Sequence, residues 1–535
     1  MSDETSTPDS RDGSAPGRDG SARRRAALRP PRPPRRPERA PRDRRGQTAM
    51  VAVLAGLVGL VLVAELLAPE PAPPSEGAAT VEPVGSVSVL CPEPGGAEDL
   101  GVRVTAAVVP DLPGQDAPGS ARLRTLPGKE SASAVIETPG GQAQILAYGL
   151  ARPAILGRGV GGLAPGFVAD QWSRDPQGQG RGLASVACTP ASADQWFVGG
   201  GSSVGRRTRV LLVNPEDAPA QVDVEIYGPD GPVEAPAGRG VVVDPGSRAV
   251  LRLDALAPGL PVAAVHVVAR VGRVAAAVND VIVKGLEPLG ADWVPQAAGP
   301  ALRTLVPGVS DGPGARELSV LVPGAEDAEV AVRVLTGDAA FTPVGVERID
   351  APAGQVVTVD LATTLKGQSA TVELTSSQPL VAGVRQVFRR EGELQEIMYT
   401  AGSTGIGSPA AVTNLPATRG STVRLWVSAP DEAATVDIGL LPYDGTKAAA
   451  KPTGRQQVQV AAERIVAVDL PVPADVDWYT AVVRPVEGSG PVLLAHRVIE
   501  PGANGLLVTG YPWTALRTEV SVPDTRPDLG VARPG

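Results

Sequence analysis

Histidine is the usual general base near neutral pH, and this chain of 535 residues has only two, His266 and His496. The best nucleophile pattern is Gly201-Ser202-Ser203-Val204-Gly205, which fits the G-x-S-x-G elbow that exposes a serine on a strand-to-helix turn. Arg206-Arg207-Thr208-Arg209 and then the apolar run Val210 to Val213 follow it, which read as a strand, so the glycines are those of a loop. His266 alternates in phase with Arg270 and is expected to face solvent. His496 falls at a repeat position also held by Asn279 and Arg385, which reads as an exposed or bulged strand position. Neither histidine has a second His or Cys at ligand spacing, so no zinc site is expected.

Other chemistry-bearing patterns reduce to structure. Asp254, Asp360 and Asp469 each end a strand, 106 and 109 residues apart, without the D-x-D-x-D-G series of a calcium loop, and are expected to cap turns. Gly157 to Gly166 resembles a phosphate loop only in composition, because no strand-helix-strand unit surrounds it, and reads as a loop. The tryptophans, Trp172, Trp196, Trp293, Trp426, Trp478 and Trp513, sit mostly where repeats join and are expected to pack there; a sugar-binding platform would need several on one exposed face. No catalytic residue, metal ligand or cofactor-binding residue is assigned. Cys91 and Cys188 are the only cysteines and are expected to form a disulfide.

The elements that carry these residues are short strands. An opening strand recurs at Val210 to Pro215, Ser319 to Gly324 and Arg424 to Pro430. Alternating strands follow, such as Val222, Val224 and Ile226 with Asp223 and Glu225 between, and then turns at Gly228 to Gly231 and Tyr443 to Gly445. Six or seven strands per repeat of about 105 residues is the scale of an immunoglobulin-like sandwich. The stretch 85–202 reads as a less regular first module. Ala169-Asp170-Gln171-Trp172, Ala193-Asp194-Gln195-Trp196 and Ala291-Asp292-Trp293 recur at junctions, as does Leu-Arg-Thr-Leu at Leu123 and Leu302, which predicts modules packed into a stiff rod or curved stack.

Ahead of the strands, residues 1 to 45 hold 13 Arg against 7 Asp and Glu, about +6 of charge, which leaves −15 of the total −9 on the rest. An acidic body argues against nucleic-acid binding by the modules. The proline-punctuated arginine tail cannot build a core and is expected to be disordered. Ala49 to Ala64 has no polar side chain, and with Glu65 to Ala68 it is long enough, at about 1.5 Å per residue, to cross the hydrocarbon layer as one helix. No basic residue follows until Arg103, so the positive-inside rule places the tail in the cytoplasm and the body outside.

Cys91-Pro92 after a membrane segment, the block from Ser185 to Ser202, and the strand Leu211 to Pro215 together resemble the uncharacterised actinobacterial membrane-anchored family catalogued as domain-of-unknown-function family 5719. The resemblance implies an envelope protein with no established activity.

The expected organisation is all-β: a disordered tail at 1–47, a transmembrane helix at 48–68, a Pro-rich spacer at 69–84, a first β module with the disulfide at 85–202, immunoglobulin-like sandwich repeats at 203–300, 301–405 and 406–520, and a flexible tail at 521–535. The expected function is that of a single-pass, extracytoplasmic, non-enzymatic envelope protein that presents its modules to a protein or glycan. The alternatives are an exported enzyme or enzyme subunit and a carbohydrate-binding adhesin. No cofactor, small-molecule substrate or nucleic-acid partner is expected.

Overall fold

The structure is a computed structural model that describes residues 50, 52–60, 80–92, 101–126, 133–147, 154–445 and 452–522. It comprises two compact units, Met1–Gly77 and Ala78–Gly535. In the first, residues 50 and 52–60 are helical, and Val53, Leu54, Leu57, Val58 and Leu60 are all exposed. Among the described residues no helix is long and apolar enough to cross a membrane. The arginine-rich tail, most of the expected membrane segment and the spacer up to residue 79 lie outside them.

The second unit is nearly all β, as its Val-rich alternation and scarcity of long apolar helical patterns require. Its first strands are β1 (Thr80–Pro83), β2 (Ser86–Cys91), β3 (Gly101–Val108), β4 (Gly119–Leu126), β5 (Ser133–Ile136), β6 (Gln142–Ala147), β7 (Ala154–Gly161), β8 (Phe167–Asp175) and β9 (Gly182–Ala187). From β2 onward they form two antiparallel four-stranded sheets, ordered β2-β7-β4-β5 and β6-β3-β8-β9. The same order recurs three more times, so the less regular first stretch is a fourth copy of the repeat. The strand Asp194–Val198 is hydrogen-bonded into the second sheet pair. In the third pair one strand, Ala370–Phe388, serves both sheets in turn. Each pair encloses one cluster of side chains from both its sheets, such as Val104, Ala121, Ile155 and Phe167 in the first and Val222, Val267 and Val278 in the second. Each buried valine or leucine there contributes about 1.5–3 kcal/mol.

This order departs from the immunoglobulin one, in which the first strand lies in the sheet of the second. Here the first strand pairs with the sixth and the seventh with the second. The seventh strand then carries a hairpin-linked eighth on its free edge. Those four edge strands, β9, Glu287–Val294, Glu396–Ala401 and Gly505–Thr509, each pack against the next, and the last packs against the first. The sheet pairs thus form a closed cycle where a rod or curved stack was expected, because the step from one pair to the next closes after four. β1 completes it by pairing antiparallel with Glu519–Val522 near the other end of the chain. Cys91 and Cys188 form the expected disulfide, with Cα atoms 4.3 Å apart.

Candidate functional site

The sequence-predicted residues of chemical interest are spread over separate places. Ser203 Oγ donates to Leu260 O at 3.0 Å, and Ser202 Oγ donates to Ala257 O, so both hydroxyl protons serve to hold the loop. Gly157 and Gly159 lie within β7 and not in a loop. A Cβ on Gly159 would stand 2.3 Å from the Leu163 carbonyl oxygen, so glycine is needed there for close packing. Asp360 accepts the Ala362 amide at 3.0 Å and so caps a turn, while Asp254 and Asp469 ion-pair with Arg252 and Arg424.

Both histidine expectations change. His266 is only 13% exposed: its ring stacks on Trp196 at 3.7 Å, and its nitrogens meet Glu225 at 3.0 Å and Asp194 at 3.2 Å. Trp196 in turn packs on Leu321, Val356 and Val381 of the third sheet pair, so the face that local alternation assigned to water is covered by a neighbour. His496 is buried, with Trp513 Nε1 donating to its Nδ1 at 3.0 Å. In the ladder His496 lies opposite Leu425 as Val384 lies opposite Leu318, so its structural counterpart is Val384 and not Arg385. A slip of one residue moves a side chain to the other face of a strand. Burial pushes the His496 imidazole down to about 3, which leaves it a neutral core ring and a poor base.

The tryptophans make no exposed platform. Five are buried, and the half-buried Trp478 packs edge-on to Trp172 with the Arg103 guanidinium 4.0 Å above its ring.

The densest constellation lies where the four edge strands meet. Ser185 of β9 donates its amide to Thr509 Oγ1 at 2.8 Å, and Thr509 Oγ1 donates to Asp292 Oδ1 at 3.0 Å. Asp292 Oδ2 accepts the Tyr399 amide at 3.4 Å, and Glu396 Oε1 accepts the Ala291 amide at 3.1 Å. Arg181, from the turn before β9, lies 3.7 Å from Glu396 and donates to the carbonyls of Gly505 and Leu506, each at 2.9 Å. Both carboxyl groups are inaccessible to water. Burial pushes Asp292 well above the usual carboxylate range, against the pull of the Trp293 amide and the Thr509 hydroxyl, and the nearby Glu396 carboxylate adds to the rise. Burial also raises Glu396, opposed by the Ile397 amide and by Arg181.

Next to this hub lies a buried ion pair of opposite character. Arg206 Nη2 is 2.9 Å from Asp280 Oδ2, Thr208 and Tyr399 hydroxyls each donate to Asp280 at 2.6 Å, and Arg206 also donates to Tyr399 Oη at 2.8 Å. Burial raises the Asp280 carboxyl, but Arg206 and the two hydroxyls outweigh it and hold the group below its ordinary value. Tyr399 comes from the third sheet pair and Asp280 from the second, so this network also joins neighbours.

Chemically the hub holds protons and binds four strands together, with no access for a substrate to either acid. Sequence reasoning did not single out Asp292 or Glu396. The signal that existed was the repeated Ala-Asp-(Gln)-Trp at junctions, since Asp170 and Asp292 both reach across to the fourth pair. The Leu-Arg-Thr-Leu repeat marks no common position, for it falls in the third strand of the first pair and the first strand of the third.

The hub predicts a pH dependence. An acid raised in the folded state stabilises the fold at low pH, and that contribution is lost as pH rises through the folded value. In Asp292→Asn the amide can accept from Tyr399 and donate to Thr509 without ever carrying charge. Its melting temperature relative to the parent is therefore expected to rise between pH 4 and pH 8; a difference that stays constant with pH would contradict the raised acid.

Residues 146–471 match the model of a family described as a family of unknown function, DUF5719; the match covers more than half of the chain and includes the second and third sheet pairs entirely. No curated protein matches the chain.

Proposed function

We propose that this chain, which belongs to the DUF5719 family, is a single-pass envelope protein whose four sandwich modules stand outside the membrane as a closed ring that positions a partner without catalysing a reaction. The modules are immunoglobulin-like in size and two-layered build. The observation that carries the reading is the hub: the acids and hydroxyls that chemistry would need are spent on joining modules. A disulfide between Cys91 and Cys188 suits an oxidising compartment, and helical residues 52–60 with uncovered apolar side chains, behind a cationic tail, suit a membrane segment. A protein partner is favoured over a glycan because five of the six tryptophans are buried and Trp478 is half-buried, whereas a sugar platform needs several on one exposed face.

The test is topological and then biochemical. In intact cells a membrane-impermeant amine reagent should label Lys284, Lys366 and Lys451 of the full-length protein. Photocrosslinking from the module surface should then capture a defined protein. Labelling only after the membrane is broken would end the membrane-anchored reading. A measurable turnover abolished by Ser203→Ala with His266→Ala and His496→Ala would replace the scaffold reading by the enzyme one.

A further inference from the structure

Of the four seams in the cycle, three are crossed by the chain itself, between β9 and Asp194–Val198 and again after Glu287–Val294 and after Glu396–Ala401. The seam between the fourth and first sheet pairs has no peptide link. Only there can two neighbours part without straining a linker. Its apolar contact includes a small patch of Val109, Ala411, Leu441, Val482 and Leu516, and the outer strap of β1 with Glu519–Val522 is exposed along its whole length.

Trp172 and Leu183 of the first pair also enter the core cluster of the fourth, and Arg174 pairs with Glu500 at 2.8 Å; beside them lies a buried polar network. Thr105 Oγ1 donates to Asn414 Oδ1 at 2.6 Å, and Asn414 Nδ2 donates to the Asp170 carbonyl at 2.6 Å. Asn414 holds these contacts from a left-handed backbone, φ 59°. The Thr413 amide donates to Asp170 Oδ2 at 2.6 Å and Tyr511 Oη to Asp170 Oδ1 at 2.7 Å, while Thr480 donates to Gln142 at 2.7 Å. Asp170 thus faces Thr105 from β3, Thr413 and Asn414 from the strand Ala410–Pro416, and Tyr511 from the segment after Gly505–Thr509. Tyr511 is the only other titratable side chain in that set. No arginine or lysine among the described residues is ion-paired with Asp170, whereas Asp280 has Arg206.

We propose that the seam between the first and fourth sheet pairs is a clasp through which the ring opens reversibly, latched by the buried carboxyl group of Asp170. Burial raises this group to about 6, against the Thr413 amide and the Tyr511 and Thr413 hydroxyls, which favour the charged form. In the parted seam the group is hydrated and ionises near its ordinary value of 3.8. The closed state is therefore favoured at low pH and weakens as pH rises to about 6. The gap of about two units makes the closing equilibrium roughly fiftyfold less favourable at pH 7 than at pH 4.

The experiment is hydrogen exchange of the full-length protein in detergent micelles at pH 5 and pH 8, corrected for intrinsic exchange. Protection in β8, Ala410–Pro416 and the β1 strap should fall about tenfold at the higher pH, while Glu287–Val294 against Glu396–Ala401 stays protected. Asp170→Asn, whose amide can accept from Thr413 and donate to Tyr511, should abolish the step, and so should a disulfide between Thr105→Cys and Asn414→Cys. Seam protection that does not change with pH, a parallel loss at the second-to-third seam, or a step that persists in Asp170→Asn would each overturn the clasp. None of these outcomes bears on which side of a membrane the ring stands.

Discussion

Arg206→Met is expected to destabilise the folded chain by about 3–5 kcal/mol, because it strips the counter-ion from a carboxylate with no access to water. Asp280 would keep the Thr208 and Tyr399 hydroxyls, each at 2.6 Å, but two neutral donors do not replace a guanidinium 2.9 Å away. The cost should appear in chemical denaturation of the full-length protein in micelles, and it should spread beyond the second sheet pair, since Tyr399 belongs to the third. Adding Asp280→Leu to Arg206→Met should recover a large part of the loss, because removing both charges removes the uncompensated one. A single-variant cost below about 1 kcal/mol would mean that Asp280 is hydrated or protonated in the native protein, contrary to the geometry.

Removing the disulfide by Cys91→Ala with Cys188→Ala is expected to cost about 4–5 kcal/mol on the chain-entropy account, since the bridge closes a loop of 97 residues. The bond ties the end of β2 to the residue just after β9, and the Leu90 and Thr189 amides and carbonyls pair beside it at 2.7 and 3.0 Å. The first sheet pair should therefore become protease-sensitive before the other three. Because that pair supplies one side of the seam without a peptide link, the closed cycle should loosen there as well. Reductant that leaves both the melting temperature and the order of proteolysis unchanged would show that the bridge contributes little.

The two predictions differ in how visible their residues are from sequence. A pair of cysteines with no third candidate has one possible partner each, so the disulfide was legible. The Arg206 network was not: its members are separated by 74 and 193 residues, and nothing local marks Tyr399 as their partner. The same holds for Asp170 and Tyr511, 341 residues apart.

Local physical chemistry was enough for the class of element and its repetition. Val222, Val224 and Ile226 alternate with Asp223 and Glu225 because a strand at the surface of a core has two faces, and copies of that pattern at a spacing of about 105 residues imply copies of one unit. The fourth copy escaped notice because β2 to β9 keep the pairing order while losing the matching turns and the aspartate-ended strand. Tertiary structure alone decided which outer faces are wet. His266 follows the alternation of an exposed position yet is covered by the cross-strand Trp196, which the neighbouring pair packs down onto the sheet, and His496 falls on the inward face at the ladder position of Val384. It also decided closure into a cycle and the gathering of Ser185, Asp292, Glu396 and Thr509 at its centre. Periodicity records how a strand sits on its own sheet, whereas these outcomes depend on contacts between sheets that lie more than a hundred residues apart and leave only a trace, the junction aspartates, in the local pattern.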